Sequence, residues 1–195
     1  LLERWYNLKK IKFDIVIMKK STNNKDHPKL SKAEEKAKQH LISVGLYGRS
    51  VSVVSNAFRF TSIFRNFSEN QVLKEFNLSI SGFVVMWVLW VWGDLETATL
   101  AKNAGIAKST LTGILTTLEK HGYCRKEPHS DDGRRVVVHI TQAGENLMEE
   151  VFPKFHEIEN LAVSELTSDD FETTKDSLRT MLGTMEKLTK KSKSQ

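Results

Sequence analysis

The spacing of apolar residues in the first third of the chain predicts two helices. Ser31 and Glu34 form a capping box, which predicts that a helix begins near Lys32. Between Ser43 and Phe76, apolar residues recur every three or four positions, which predicts one long helix with an apolar face. That face consists of Val53, Ala57, Phe60, Phe64 and Phe67 and is widened by Val51, Val54 and Phe58. It carries more aromatic surface than the core of a monomer requires.

The middle of the chain predicts a central helix followed by a helix-turn-helix. Residues Gly82 to Trp92 are apolar on almost every side, so this helix must be central, and Ser79 is suited to cap it. A short polar helix over Thr97–Asn103 comes next. A turn at Gly105 leads into a second helix from about Lys108 to His121. The inward face of that second helix consists of Leu111, Ile114, Leu115 and Leu118.

After Gly122 the apolar period changes to two, which indicates β-strands. Tyr123–Glu127 predicts a first short strand, Pro128–Gly133 a polar turn, and Arg135–Ile140 a second, β-branched strand. The sequence therefore predicts a β-hairpin directly after the helix-turn-helix. We call this hairpin, residues 123–140, the wing.

The last third of the chain predicts two more helices. Thr141 caps the first, which runs to about Ser164 and should bend at Pro153. Its apolar face consists of Leu147, Val151, Phe155, Ile158 and Ala162. Thr167 or Ser168 caps the second, whose heptad-like seam consists of Phe171, Thr174, Leu178, Met181, Met185 and Leu188. The fold class is thus mainly α with a small β-hairpin wing.

Composition and charge narrow the class of protein. A chain of 195 residues with 39% hydrophobic residues can bury a core, which excludes a disordered or collagenous chain. The net charge is +5, but residues 1–40 hold 11 Lys/Arg and 5 Asp/Glu, a net +6, so residues 41–195 carry −1. A case for nucleic-acid binding by the folded body must therefore rest on local clusters.

The single cysteine and the short apolar runs indicate where in the cell the protein is expected. Cys124 alone cannot form an internal disulfide, and the longest apolar run, Phe83–Trp92, is ten residues, short of the roughly 20 that span a membrane. We expect a cytoplasmic protein without a membrane span. Residues 1–40 are expected to form a basic extension that is partly disordered or non-native. Within it, residues 1–17 are expected to lie outside the native reading frame or to form an appendage, because Met18 looks like a natural start.

The second helix of the helix-turn-helix offers an outward face suited to DNA. Only an outward layer of side chains on such a helix can reach base edges in the major groove. Small hydroxyl residues allow close approach, and the helix start adds partial positive charge. The candidate residues are Lys108, Ser109, Thr110, Thr112, Gly113 and Thr116. The alternative is that Ser and Thr simply fill a solvated helix face.

The wing tip adds a second candidate contact with DNA. Arg134 and Arg135 stand at a tight turn, where guanidinium groups can enter a narrow minor groove and interact with its negative potential. Asp132 is positioned to hold one of these arginines by a charge-assisted hydrogen bond. The alternative is that Asp131-Asp132-Gly133 is only a favourable hairpin turn.

At this point the sequence resembles the MarR family of winged-helix regulators. Asp132-Gly-Arg134, the alternating apolar residues after it, and Thr141-Gln-Ala-Gly144 resemble the wing signature of that family. The segments Ala104–Gly113 and Leu118–Arg125 resemble its turn and recognition helix. The resemblance extends from about residue 44 to residue 188 and preserves the order of elements.

The resemblance implies a homodimer with intertwined terminal helices and two winged lobes that bind a pseudo-palindromic operator. Many members are repressors that release DNA when a small phenolic or aromatic acid binds between the dimer helices and the lobe. The domains implied are residues 41–76 as the N-terminal dimerisation helix, 77–141 as the winged helix-turn-helix domain and 142–190 as the C-terminal dimerisation helices. The aromatic face of the first long helix and the seam of the last independently require a partner surface.

The resemblance also suggests an effector pocket, and the sequence departs from the family at two positions. Phe83 and Trp87 would line the pocket and Arg49 would meet the carboxylate of an acid, although core packing is the alternative for both aromatic residues. Ala107 stands where such proteins often have a capping Ser. The absence of a capping side chain weakens the helix start by about 1 kcal/mol. Gly113 stands where many have Arg, so recognition shifts to Lys108, the hydroxyl groups and the wing.

Other chemistries have weaker support in the sequence. Cys124 could sense peroxide, but the sensing cysteine of related proteins lies in the first helix, and packing in the core is the alternative. His121, His129 and His139 lack the spacing of metal ligands. No catalytic motif is present, so we expect no enzyme, metal or cofactor. The rival function is a dimeric small-molecule-binding or adaptor protein without specific DNA recognition.

Overall fold

The protein is mainly helical with one small sheet. A computed structural model describes residues 32–46, 49–129, 132 and 134–192. The helices are α1 (Lys32–Ser43), α2 (Arg49–Gln71), α3 (Ile80–Trp92), α4 (Thr97–Asn103), α5 (Lys108–Lys120), α6 (Gln142–Val163) and α7 (Ser168–Ser192), with a 3₁₀ helix at Leu73–Phe76. The strands are β1 (Leu95–Glu96), β2 (Cys124–Pro128) and β3 (Val136–Ile140). The predicted fold class is confirmed, while the predicted cap Ser31 lies outside the described residues.

The chain divides into two compact units, residues 1–54 and 55–195. In the first unit, α1 ends where the Ser43 hydroxyl donates to the His40 carbonyl at 2.7 Å, and Gly45 follows with φ +70°. The second unit contains the central helix, the helix-turn-helix and the sheet. Within the described ranges, no helix combines the length and apolar character that crossing a bilayer requires.

Helix α3 forms the centre of the second unit because its side chains are apolar nearly all round. Ser79 caps it as predicted, its Oγ accepting a hydrogen bond from the Gly82 N–H at 3.1 Å. Phe83 is buried, with its ring centroid 4.1 Å from that of Phe155 on α6. The other buried residues of α3 are Gly82, Val85, Met86, Val88 and Leu89. Burial of these side chains holds α4, α5 and α6 around one core.

The sheet has three antiparallel strands, in the order β1-β3-β2. Strands β2 and β3 form the predicted hairpin, with Cys124 opposite Ile140 at its base. The prediction of a two-stranded wing was incomplete, because β1 pairs with the other edge of β3, with Leu95 opposite Val138. A strand of two residues gives no periodic signal in the sequence, so this pairing depends on the tertiary fold.

The base of the wing meets the start of α6 at Gly144. Thr141 caps α6 as predicted, its hydroxyl oxygen accepting from the Gly144 N–H at 3.1 Å, while its own N–H donates to the Tyr123 carbonyl at 3.1 Å. A Cβ on Gly144 would overlap that carbonyl oxygen and lie 2.9 Å from side-chain carbons of both Ile140 and Met86. Only glycine fits this close approach of helix and wing.

Both predicted ends of the long helix were wrong. The helix predicted between Ser43 and Phe76 spans Arg49–Gln71, and the separate 3₁₀ helix Leu73–Phe76 follows it, with Asn77 as its C-cap at a left-handed φ of +55°. Ala162, which the pattern grouped with the apolar face of α6, is exposed. The buried positions of α6 end at Ile158, so the last turn of this helix lies beyond the core.

Two helices keep exposed apolar faces. On α2, the side chains of Phe58 and Ile63 are 73% and 64% exposed. Helix α7 has no buried residue along its 25 positions, and Leu182 on it is 65% exposed. The other exposed apolar residues of α7 are Phe171, Leu178, Met185 and Leu188. So much unpacked apolar surface on two long helices is typical of an interface.

Candidate nucleic-acid interface

The second helix of the helix-turn-helix, α5, is fixed by its apolar face. Leu111, Leu115 and Leu118 are nearly fully buried against the core, and Ile114 is half-buried. The opposite face is therefore turned to solvent. All six predicted DNA-contacting residues of this helix are exposed, namely Lys108, Ser109, Thr110, Thr112, Gly113 and Thr116. On the solvent-facing side of α5, the fold thus exposes the same residues that the sequence predicted as DNA contacts.

Helix α5 begins without a side-chain cap. Ala107 occupies the N-cap position with extended backbone angles, and its carbonyl accepts from the Leu111 N–H at 3.0 Å. Because alanine has no acceptor in its side chain, the N–H groups of the first turn lack the usual capping bond. Such groups can bind a phosphate oxygen, with the nearby Lys108 supplying positive charge.

At the wing tip, Asp132 holds the backbone of the turn. Its Oδ1 accepts a hydrogen bond from the Arg134 N–H at 3.0 Å, and its carbonyl accepts from the Arg135 N–H at 2.9 Å. Asp132 was predicted to hold one of the two arginines; its hydrogen bonds are to their backbone N–H groups and not to a guanidinium. The carboxylate therefore fixes the direction in which the exposed Arg134 leaves the chain.

Arg135 has a different partner from the one the sequence suggested. Its guanidinium forms an ion pair with Glu96 of β1, with Nε donating to Oε2 at 2.9 Å. No sequence pattern pointed to Glu96, because it lies 39 residues away and comes into range only through the β1–β3 pairing. Arg135 consequently ties the wing to the start of α4, and Arg134 is the arginine left at the tip.

The outward face of the sheet is a layer of charged groups. His139 on β3 lies between two carboxylates, with Nδ1 2.7 Å from Asp94 and Nε2 3.4 Å from Glu127. Arg125 also forms an ion pair with Glu127. These contacts link the residue before β1 to β3 and β2 across the sheet. They support the position of the wing beside α5.

Half of the positive charge near the interface is already neutralised. Residues 108–135 contain six Lys and Arg side chains. Three form ion pairs, Arg125 with Glu127, Lys126 with Glu119 and Arg135 with Glu96. The other three, Lys108, Lys120 and Arg134, have no carboxylate partner in the part of the chain that the structure describes. These three are the cations available to a phosphate backbone.

Two of the residues predicted for an effector pocket, Phe83 and Trp87, pack against other aromatic side chains. Phe83 is 3% exposed and packed on Phe155, and Trp87 packs edge-on against Trp92 with ring centroids 5.3 Å apart. Arg49 begins α2, and its side chain lies outside the described residues. A groove of about 330 Å³ lies elsewhere, between α5 and the start of α3. Its lining includes Asn77, Ser79, Gly82, Thr110, Ile114, Thr117 and His121.

Cys124 is part of the core. Its side chain is 3% exposed, and burial, followed by the charge of Glu119, raises the pKa of the thiol from 9.0 to about 12. The thiolate is the reactive form of cysteine, so this thiol is unreactive near neutral pH. The buried position of Cys124 agrees with the interpretation that this residue packs in the core.

Two of the three histidines considered for a metal, His121 and His139, lie in different surroundings. His121 stacks on Tyr123 with ring centroids 5.6 Å apart, and the carboxylates beside His139 approach opposite nitrogens of its ring. Ligands on opposite nitrogens cannot converge on one ion. Among the described residues, no three His, Cys, Asp or Glu side chains are grouped to hold a metal.

Comparison with known proteins supplies an independent line of evidence. A family model described as the MarR family matches residues 78–136. The chain is 37% identical over 121 residues to the uncharacterized HTH-type transcriptional regulator YwaE of Bacillus subtilis strain 168, a match that covers 62% of this chain and 71% of that protein.

Two solved structures have the same fold. One is the S. aureus MepR–DNA complex, with a TM-score of 0.61 and 25% identity over 67% of this chain and 96% of that one. The other is Bordetella bronchiseptica BpsR, whose structure concerns regulation of its DNA binding by 6-hydroxynicotinic acid. It has a TM-score of 0.62 and 22% identity over 67% of this chain and 98% of that one.

Proposed function

Because the chain belongs to the MarR family of winged-helix transcriptional regulators, we propose that it is a homodimeric repressor that binds a specific operator and leaves it when a small ligand binds. The observation that carries this proposal is the presence, in one fold, of an exposed hydroxyl-rich face on α5 and an arginine whose backbone is held at the wing tip. One element suits the major groove and the other the adjacent minor groove. The proposal includes a cytoplasmic location, where DNA is accessible.

The contacts with DNA follow from which groups are free. In the proposed complex, α5 lies in the major groove with its N-terminus near the phosphates, and Lys108 neutralises one of them. Arg134 enters the minor groove, where narrow A·T-rich segments concentrate negative potential. Arg135 contributes mainly by holding the wing through Glu96. The MepR complex, a relative of this fold bound to DNA, supports the assignment by analogy.

The homodimer is supported by the exposed apolar faces of α2 and α7. A helix of 25 residues with no buried side chain has little packing to hold it in a monomer. Phe58, Ile63 and Leu182 are each more than 60% exposed and are suited to a second copy of the chain. Two lobes related by a twofold axis would meet half-sites about 34–36 Å apart.

Release by a ligand is the third part of the proposal. BpsR, which shares the fold, has its DNA binding regulated by 6-hydroxynicotinic acid, an aromatic acid. We assign the same class of effector to this chain, with Arg49, Phe83 and Trp87 as the candidate contacts. Phe83 is packed in the core, so a ligand there must displace it from Phe155. A bound effector would favour a lobe spacing that no longer matches successive major grooves.

Salt-dependent binding to operator DNA tests the wing. In the dimer, Arg134→Ala removes two cations from the interface, so the slope of log K against log salt should become shallower by about two. Arg179→Ala on α7 makes the same change of charge outside the interface and should leave the slope unchanged. An Arg134→Ala protein with the wild-type affinity and slope would show that the wing tip does not contact DNA.

A second candidate function is a dimeric ligand-binding or adaptor protein on the same fold. The exposed Gly113 favours it, because the centre of the DNA-facing surface then lacks a long polar side chain. Such a protein would bind operator and unrelated duplexes equally at every salt concentration.

A further inference from the structure

Three threonine hydroxyls of α5 donate hydrogen bonds to their own helix. Thr112 donates to the Lys108 carbonyl at 3.3 Å, Thr116 to the Thr112 carbonyl at 3.0 Å, and Thr117 to the Gly113 carbonyl at 3.2 Å. A hydroxyl has one proton to donate and two lone pairs to accept with. The proton of each of these side chains is therefore directed toward a carbonyl of its own helix.

The exposed side chains of Thr112 and Thr116 consequently offer two groups to a DNA base, oxygen lone pairs and a γ-methyl group. Gly113, between them in sequence, adds no side chain to this face. Thr117 differs in position from Thr112 and Thr116, because it lines the groove against the start of α3, as Gly113 does, and they do not. The middle of α5 is thus a surface that accepts hydrogen bonds and makes apolar contacts, but does not donate.

Base pairs differ in what they present to such a surface. In the major groove, guanine presents only acceptors, N7 and O6, which cannot bond to another acceptor. An A·T pair presents the adenine N6 amino group, which can donate, and the thymine 5-methyl group, which can make apolar contact. A C·G pair offers the cytosine amino group but no methyl group. An A·T pair therefore matches both features of the surface.

We infer that Thr112 and Thr116 are specificity-determining residues that select A·T pairs in each operator half-site through the thymine 5-methyl and adenine amino groups. This inference rests on the proposed function, since it needs α5 in the major groove. It accounts for a recognition helix without an arginine at position 113. Donors to guanine are then confined to the start of α5, where Lys108 stands.

The test uses duplexes selected from a random pool by the wild-type protein. Each thymine of a half-site is replaced in turn by uracil, which removes only the 5-methyl group. Affinity is measured for the wild type, for Thr112→Ser and Thr116→Ser, which lose the γ-methyl, and for the matching Val variants, which lose the hydroxyl. Thr117→Ser is the matched control, because it loses a methyl from a residue with the same helical bond on another side of α5. Circular dichroism checks that each variant is folded.

At one or two thymines, uracil should weaken binding by the wild type about fourfold for each methyl group removed. The corresponding Ser variant should lose this sensitivity, while the Val variants and Thr117→Ser should keep it. Specific binding that is insensitive to uracil everywhere, or sensitivity that survives in both Ser variants, would overturn the inference and leave the proposed function standing. Equal binding to selected and random duplexes would overturn both.

Discussion

Replacing Gly144 by alanine should destabilise the protein, although alanine is normally the better residue in a helix. The added Cβ would overlap the Tyr123 carbonyl oxygen, which already accepts from the Thr141 N–H at 3.1 Å, and it would lie 2.9 Å from Ile140 and Met86 carbons. A flexible side chain could move aside, but this carbonyl belongs to the backbone at the base of the wing. The substitution therefore strains the junction of α3, α6 and the sheet.

The magnitude follows from two opposing effects. Alanine gains at most about 1 kcal/mol over glycine at this position, because Gly144 lies in the first turn of α6, and overpacking costs about 1–3 kcal/mol. Because a backbone atom is involved, we expect the upper end of that cost or more, for a net loss of about 2 kcal/mol. The melting temperature should fall by about 4–8 °C, measured by circular dichroism at matched protein concentration.

Gly113→Ala is the matched control. A Cβ at Gly113 would meet nothing within 4 Å, so the same chemical change should stabilise the protein by about 1 kcal/mol. The two variants should thus move the melting temperature in opposite directions. A Gly144→Ala protein as stable as the wild type would refute the close approach of α6 and the wing.

Three further predictions concern the thiol, the oligomer and the N-terminal charge. Cys124 should resist alkylation in the native protein at pH 8 and react fully in denaturant, because burial raises the pKa of its thiol to about 12; rapid native labelling would contradict this. Leu182→Glu should convert dimer to monomer in sedimentation experiments, whereas Lys187→Glu, on the opposite face of the same helix, should not; an unchanged dimer for Leu182→Glu would exclude this face. Removing residues 1–30 should weaken binding to all duplexes alike, because the positive charge of this segment attracts any phosphate backbone. A selective loss of operator binding would show instead that the segment contributes to sequence recognition.

The elements with a long periodic pattern were predictable from the sequence. The apolar face of α5 and the all-apolar character of α3 predicted both helices to within about two residues, and Ser79 and Thr141 act as the caps their types suggest. Local chemistry was sufficient because each cap and each helical face involves residues within a few positions of one another.

The contacts that join distant parts of the chain were not predictable. Glu96 meets Arg135 because a two-residue strand pairs with β3, and no local pattern encodes that pairing. Asp132 was expected near the arginines, yet its carboxylate accepts a backbone N–H, a choice that depends on the turn geometry.

Binding of the full chain to DNA from beside its own gene, compared with a shuffled duplex of equal composition over rising salt, tests the central claim most directly. We expect one dimer to bind the genuine site at least about 10³-fold more tightly than the shuffled duplex at physiological salt. Equal affinity for the two duplexes, falling in parallel as salt rises, would contradict specific recognition, because only non-specific attraction to phosphates behaves in that way.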